Sequence, residues 1–280
     1  IDGVGNVGAT DNMVVSTWVD LSGDLNHAVG WGSSWSSPSL IDRSGTYWLN
    51  FDAEDALMST VDGIESSSDS TIFMVLNRQG EGSNSGSALL SNIDASMETG
   101  SIDFGSSSGT NSIRFSGDGV ESIISGFEWG QDNLFILMND SELPTNNAVY
   151  INAIKSGLVS VDTDFNFEKL GIGGWGEYES AGDQGYVGYV GEIIIFNGAL
   201  EVSEIMKINY YLSKKWGLTE RIDSDGDGFL DSIEEMSASS AIDPLDTPQV
   251  SFYTTLIGEV GEESIIEATI EEGLELWYDA

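Results

Sequence analysis

Tyr189-Val-Gly-Glu-Ile-Ile-Ile-Phe196 is the stretch that decides the fold. Its last four residues, Ile193 to Phe196, are apolar on both faces of an extended chain, so the run reads as a central strand covered on two sides. Other runs of the same kind precede it: Val14–Val19, Tyr47–Phe51, Thr71–Leu76, Ser112–Phe115, Leu134–Met138, Ala148–Ala153 and Lys169–Ile172. Many are β-branched or aromatic, and Gly, Ser, Asn and Asp separate them at short intervals. Tyr150-Ile-Asn-Ala-Ile-Lys-Ser-Gly157 reads as a hairpin. Such spacing predicts an all-β, antiparallel sandwich. One helix follows the central strand. Between Val202 and Trp216, the residues Ile205, Ile208, Leu212 and Trp216 recur at helical spacing, with Lys214 and Lys215 at its negative end. That stripe predicts packing against the sandwich, and Gly217 is placed to cap the helix.

Beyond the helix stands Asp223-Ser-Asp-Gly-Asp-Gly-Phe-Leu-Asp-Ser-Ile-Glu234. Asp223, Asp225, Asp227, Asp231 and Glu234 fall at positions 1, 3, 5, 9 and 12 of a loop whose sixth residue is Gly228. A Ca²⁺ loop of the EF-hand type needs that arrangement, because a hard cation gathers several oxygens from alternate positions. The Phe229 carbonyl supplies the ligand at position 7, and Glu234 closes the shell with two oxygens. Without a cation these carboxylates would repel one another. Gly217 separates the preceding helix from the loop, so a half-hand is predicted, with a short exit helix over about Asp231–Ala238.

Nine basic residues stand against 47 acidic ones, a formal charge of −38. Such a surface repels nucleic acid and anionic lipid and attracts cations. Every basic residue lies at or before Arg221, and the 16 acidic residues from Ile222 onward have no Lys or Arg among them. Self-repulsion predicts an extended tail there unless ions screen it. The chain has no cysteine, so disulfide and thiol chemistry are excluded. No apolar run approaches the ~18 residues of a bilayer span. The chain opens at Ile1, without an initiator Met or signal-peptide pattern, which predicts processing, excision or truncation. A calcium loop is most useful where calcium is millimolar, which points to an extracellular or cell-surface location.

The sequence offers little for catalysis. No candidate strand carries the paired carboxylates of a glycosidase, and no Ser is placed to work with His27, the sole histidine. A structural hydrogen bond is the predicted role of His27. Gly3-Val-Gly-Asn-Val-Gly8 matches a dinucleotide-loop pattern, but no strand precedes it and no βαβ unit follows. A non-enzymatic role is therefore expected. Carbohydrate binding competes with a purely structural role, because sugars stack on aromatic platforms beside carboxylates and amides. Trp31, Trp35, Trp129, Trp175 and Tyr178 sit in Gly/Ser-rich surroundings, and Trp31, Trp35, Trp175 and Tyr178 are the candidate glycan contacts.

Trp18-Val-Asp-Leu-Ser-Gly-Asp-Leu-Asn-His27-Ala resembles the W-x-D-x-S-G-x-x-x-H-A segment of bacterial laminin-G-like, concanavalin A-like jelly-roll domains. Leu49-Asn-Phe-Asp52 with Leu57, Tyr150-Ile-Asn-Ala, Gly191–Leu200 and Tyr211–Leu218 resemble later segments of that family, in the same order. The resemblance implies a jelly roll over residues 1–218. Asp223–Glu235, followed by Ile242-Asp-Pro-Leu-Asp246, is similar to a thrombospondin type 3 repeat, an extracellular calcium-binding spacer, here over residues 219–248. That likeness implies further ligands at Asp243 or Asp246.

Residues 249–280 form an acidic linker ending in Gly273-Leu-Glu-Leu-Trp-Tyr-Asp-Ala280. This octet resembles the strand with which members of the jelly-roll family usually open, displaced here to the other end. Leu274, Leu276 and Tyr278 alternate with Glu275 and Trp277, as in a sheet strand. Three outcomes are open: the strand returns to its own sandwich, enters the next copy, or begins the next domain of a tandem chain. An unfilled slot would leave sheet edges exposed, which favours the last two. Together these features predict a calcium-dependent structural or adhesive repeat unit, assembling head-to-tail as a filament or tandem array. A calcium-dependent, lectin-like adhesin module is the alternative.

Overall fold

The computed structural model describes residues 11–22, 25–31, 35–59, 69–80, 87–92, 101–104, 112–117, 120–125, 128–140, 147–159, 169–174 and 185–248. Gly3–Gly8, Trp175, Tyr178 and the segment 273–280, all singled out above, lie outside them.

Ser70-Thr-Ile-Phe-Met-Val-Leu-Asn-Arg78 shows how this sequence builds a sheet interior. Its middle is apolar on both faces, so it is stable only with strands on either side and layers above and below. All nine of its residues are buried. The strands in chain order are β1 (Met13–Val14), β2 (Thr17–Trp18), β3 (Ala28–Gly30), β4 (Ser39–Arg43), β5 (Thr46–Asp52), β6 (Leu57–Ser59), β7 (Ser70–Arg78) and β8 (Ser87–Asn92). They continue with β9 (Ser101–Phe104), β10 (Ser112–Gly117), β11 (Val120–Ser125), β12 (Asn133–Asn139), β13 (Asn147–Ile151), β14 (Ile154–Val159), β15 (Leu170–Ile172) and β16 (Val187–Asn197). Two helices follow, α1 (Val202–Trp216) and α2 (Asp231–Ser237).

The strands form two antiparallel eight-stranded sheets. One has the order β1-β4-β5-β16-β7-β12-β13-β14 and the other β11-β10-β9-β8-β15-β6-β3-β2. The antiparallel jelly-roll sandwich expected from the sequence is the architecture observed. Between the sheets lies a core containing Leu49, Phe51, Ile72, Met74, Leu76, Phe135, Leu137 and Tyr186. The outer face of the first sheet buries a second core, in which Trp48, Phe73, Val75, Leu134 and Ile136 meet Ile205, Leu212 and Trp216 of α1. Alternate residues of β7 thus serve different cores, which explains the double-sided apolar pattern.

Helix α1 has the predicted bounds. The backbone N–H of Glu201 donates to the Glu204 carboxylate at 3.1 Å, and Gly217 adopts φ 68° at the other end. Gly191 also earns its place, because a Cβ there would lie 2.9 Å from the Trp216 ring that rests against β16. The Trp216 indole donates to Glu192 at 2.7 Å and meets Trp48 edge-on, centroids 4.6 Å apart.

Two expected elements differ. Val14–Val19 is not one strand: Met13–Val14 joins the first sheet and Thr17–Trp18 the second. The chain crosses between layers at Val15 and Ser16, whose backbone groups bond to Pro38 and Gly30 respectively. Ala148–Ala153 is shorter than expected, ending at Ile151. Asn152 and Ala153, both at positive φ (52° and 66°), make the tight turn of the β13–β14 hairpin.

Candidate metal centre

The acidic loop is held against the sandwich by both of its arms. On the entering arm, Ile222 is fully buried in the second core beside Leu218. Arg221 donates to the Asp132 carbonyl at 2.9 Å, and its guanidinium also reaches the Asn133 side chain at 3.5 Å. On the exit arm, the N–H of Asp231 donates to the Ile222 carbonyl at 2.8 Å, and that of Ser232 to Thr219 at 3.0 Å. Helix α2 is tied to α1 by Glu235, which pairs with Lys214 at 2.7 Å and accepts from the Tyr210 hydroxyl at 3.2 Å. A core cluster therefore runs across the boundary expected between residues 218 and 219.

Asp223, Asp225 and Asp227 converge, with one carboxylate oxygen from each lying within 4.8 Å of the others. The loop's own backbone orients them. Asp223 accepts from the N–H of Gly226 at 2.7 Å and of Gly228 at 2.9 Å; Asp225 accepts from Asp227 at 3.2 Å, and Asp227 from Phe229 at 2.8 Å. Gly226 and Gly228 stand at φ 77° and 102°, which a side chain would resist. One oxygen each of Asp225 and Asp227, and both of Glu234, are shut off from water and accept no hydrogen bond. Glu234 is wholly buried.

Burying charge without a partner is costly, and the acidities record it. Desolvation, reinforced by Asp225, Asp227, Asp231 and Asp223, raises the Glu234 carboxyl to about 8. Desolvation also leads at Asp225, with repulsion from Asp227 and Asp223, and lifts it to about 6. A divalent cation would reverse both effects. Oxygen-only donors, several of them anionic and left without protein partners, fit Ca²⁺ by chemistry.

The other expected ligands, Asp231, Phe229, Asp243 and Asp246, have the following partners. Both oxygens of Asp231 are engaged: one accepts the Ser224 N–H at 2.8 Å, the other the Ser224 hydroxyl at 2.8 Å and the Ser213 hydroxyl of α1. Asp231 is a strut between loop and helix. Phe229 is fixed in the loop through its N–H. The Asp243 carboxylate accepts from Leu245 at 3.1 Å and that of Asp246 from Ser240 at 3.1 Å, both exposed to solvent. The Asp243 backbone N–H donates to the Ser240 carbonyl at 3.2 Å, within the second acidic turn. Sequence reasoning missed the struts Ser213 and Ser224 and the anchor Ile222; only the apolar Ile222 next to Arg221 was a signal for any of them.

Among the aromatic candidates, Trp31 and Trp35 stack with centroids 5.8 Å apart at 17°. Trp35 is buried against Gly174, and Trp31 is half-buried. Trp129 is capped by the Arg78 guanidinium, 4.5 Å from the ring centre. His27 accepts the N–H of Asp20 through Nδ1 at 3.2 Å, a structural bond.

No protein-family model matches the chain, and no curated protein matches it. Solved structures do. The binding domain of Paraclostridial Mosquitocidal Protein 1 is 12% identical with a TM-score of 0.50, over 71% of this chain and 51% of that one. Domain 4 of AbnA, a GH43 extracellular arabinanase from Geobacillus stearothermophilus solved with arabinotriose, is 14% identical with a TM-score of 0.48, over 69% and 96%. The heptameric SAP-like pentraxin of Limulus polyphemus is 14% identical with a TM-score of 0.41, over 54% and 76%. At these identities the likeness is one of fold alone, the antiparallel jelly-roll sandwich.

Proposed function

We propose that the chain is a non-catalytic, calcium-dependent structural or adhesive unit of the extracellular space, joined head-to-tail to further copies of itself. The observation that carries this reading is the buried Glu234 carboxylate, with no hydrogen-bond partner for either oxygen, beside the converging Asp223, Asp225 and Asp227. Its ligand set is those four carboxylates with the Phe229 carbonyl. Asp231 acts as the strut that transmits occupancy to α1, while Asp243 and Asp246, bonded within their own turn, stay outside the set. Calcium then holds the loop closed against the sandwich and fixes the direction in which residues beyond Pro248 depart. Calcium titration by calorimetry tests it: saturable binding that Glu234→Gln weakens is expected, and a chain that takes up no calcium refutes it. Among the described residues no helix is long and apolar enough to cross a membrane.

A second reading, calcium-dependent carbohydrate binding, rests on the Trp31–Trp35 stack, in which Trp31 is half-buried. A glycan array decides it. Binding that Trp31→Ala abolishes supports a lectin-like adhesin, and an array without signal dismisses it.

A further inference from the structure

Two of the chain's four arginines meet at one residue, Asp132, which stands just ahead of β12. Arg43, the last residue of β4, donates to the Asp132 carboxylate at 2.7 Å. The same carboxylate oxygen accepts from the Asn77 amide of β7, and Gln79 donates in turn to Asn77. Arg43 has little freedom of its own. Its guanidinium lies over the rings of Trp48 and Tyr189, 4.7 Å from each centre. Trp48 is buried in the core under α1, and Tyr189 packs against that core. Arg221 takes the group that is left, donating to the Asp132 backbone carbonyl at 2.9 Å. The Asn133 side-chain oxygen, 3.5 Å from the Arg221 guanidinium, is equally fixed. It accepts from Asn152 at 3.0 Å, and Asn152 accepts from the Leu134 N–H at 2.9 Å.

Arg221 stands two residues before Asp223, the first of the converging carboxylates. The N–H groups of Arg221 and Ile222 both donate to the Leu218 carbonyl, at 2.9 and 3.1 Å, so the entering arm is a tight turn. The Arg221 side chain ties that turn to the first sheet. We infer that Arg43 sets the calcium affinity of the loop without touching it, by holding Asp132 where Arg221 grips its carbonyl, a role that rests on the calcium reading above. An arm already fixed in the bound arrangement loses less entropy when the ion enters, and the ion binds more tightly for it. A planar guanidinium suits the task, since it stacks on rings while donating in its own plane. A lysine could aim its charge at Asp132 but would not lie flat on two rings. Charge acting alone has the opposite sign: removing a cation makes an anionic site more attractive to Ca²⁺, not less.

Calorimetric titration of the full chain with calcium tests this in the parent, Arg43→Met, Arg221→Met and the double variant, with circular dichroism confirming the fold. Methionine keeps apolar bulk beside the rings and removes the donors. Each single variant should weaken calcium binding about threefold to tenfold. The double variant should lose no more than the weaker-binding single one, because both arginines act through Asp132. Lys155→Met, which removes an exposed cation of β14, should bind at least as tightly as the parent. Parental or tighter affinity in Arg43→Met overturns the role of Arg43 and leaves the calcium site standing. Arginine effects that simply add, or an equal fall in Lys155→Met, overturn it as well. Should Arg43→Met fail to fold, Arg43→Lys replaces it: the charge stays, so the same loss supports positioning, and parental affinity overturns it. A parent chain that takes up no calcium overturns this role together with the calcium reading.

Discussion

Ile222→Ala probes whether the acidic loop belongs to the sandwich or merely follows it. The side chain is fully buried among Trp48, Leu212, Trp216 and Leu218. Cutting a buried Ile to Ala costs about 2–5 kcal/mol, part lost transfer free energy and part cavity. A value of about 3 kcal/mol suits this site, because a sheet, a helix and two indoles wall the void and limit its collapse. For a chain of this size each kcal/mol moves the midpoint by about 2–4 °C, so a fall of roughly 6–12 °C is expected. Scanning calorimetry in saturating calcium reads it, with near-UV circular dichroism following the indoles. Leu245→Ala, at a side chain 90% exposed, is the control and should shift stability by no more than about 0.5 kcal/mol. A spacer folding independently would give a different result: the main transition would stay put and only a small separate one would move. That outcome would refute the reasoning.

Chelation should lower the melting temperature of the parent chain. Calcium at 100 to 1,000 times its Kd stabilises by about 3–4 kcal/mol, so melting unchanged by excess EDTA would argue against a resident ion. Ser213→Ala should weaken calcium binding without touching any expected ligand, since it removes the α1 hydroxyl that holds Asp231; calorimetry giving the parental affinity would count against coupling through α1. Asp55 supplies a pH signature elsewhere. Burial first, then the charges of Asp52 and Glu54, raises its carboxyl to about 7. Between about pH 4 and 7 the unfolded chain ionises this group and the folded chain does not, so its contribution to stability falls as pH rises. The full loss, about 4 kcal/mol at most, is reached above pH 7. Asp55→Asn should therefore melt higher than the parent at pH 8 and alike at pH 4. A difference that does not change with pH would sink that account.

The parts legible in the sequence are those whose signal is local. The stripe Ile205, Ile208, Leu212, Trp216 and the glycine after it define α1 without reference to anything else, and the observed bounds agree. Thr71–Leu76 and Tyr189–Phe196 were readable because a strand covered on both faces needs no partner to announce itself. Val14–Val19 was not, since alternation is identical whether a run stays in one sheet or crosses to the other. The site divides along the same line. Loop spacing identifies carboxylates able to converge, and Asp223, Asp225 and Asp227 do converge. Spacing says nothing of Ser213 in α1, which reaches Asp231 only through the tertiary fold. That contact changes the physical reading of the module. Asp231 bonds α1, Ile222 shares a core with the first sheet, and Ile194 and Phe196 of β16 pack on that core. The loop, the helix and the first sheet thus lie along one continuous body. Mechanical load applied at the sheet would reach the loop through packed side chains rather than through a flexible joint. Forced unfolding of linked copies should therefore show the loop and the sandwich yielding in a single step in calcium, and two separate steps would argue that they are mechanically independent.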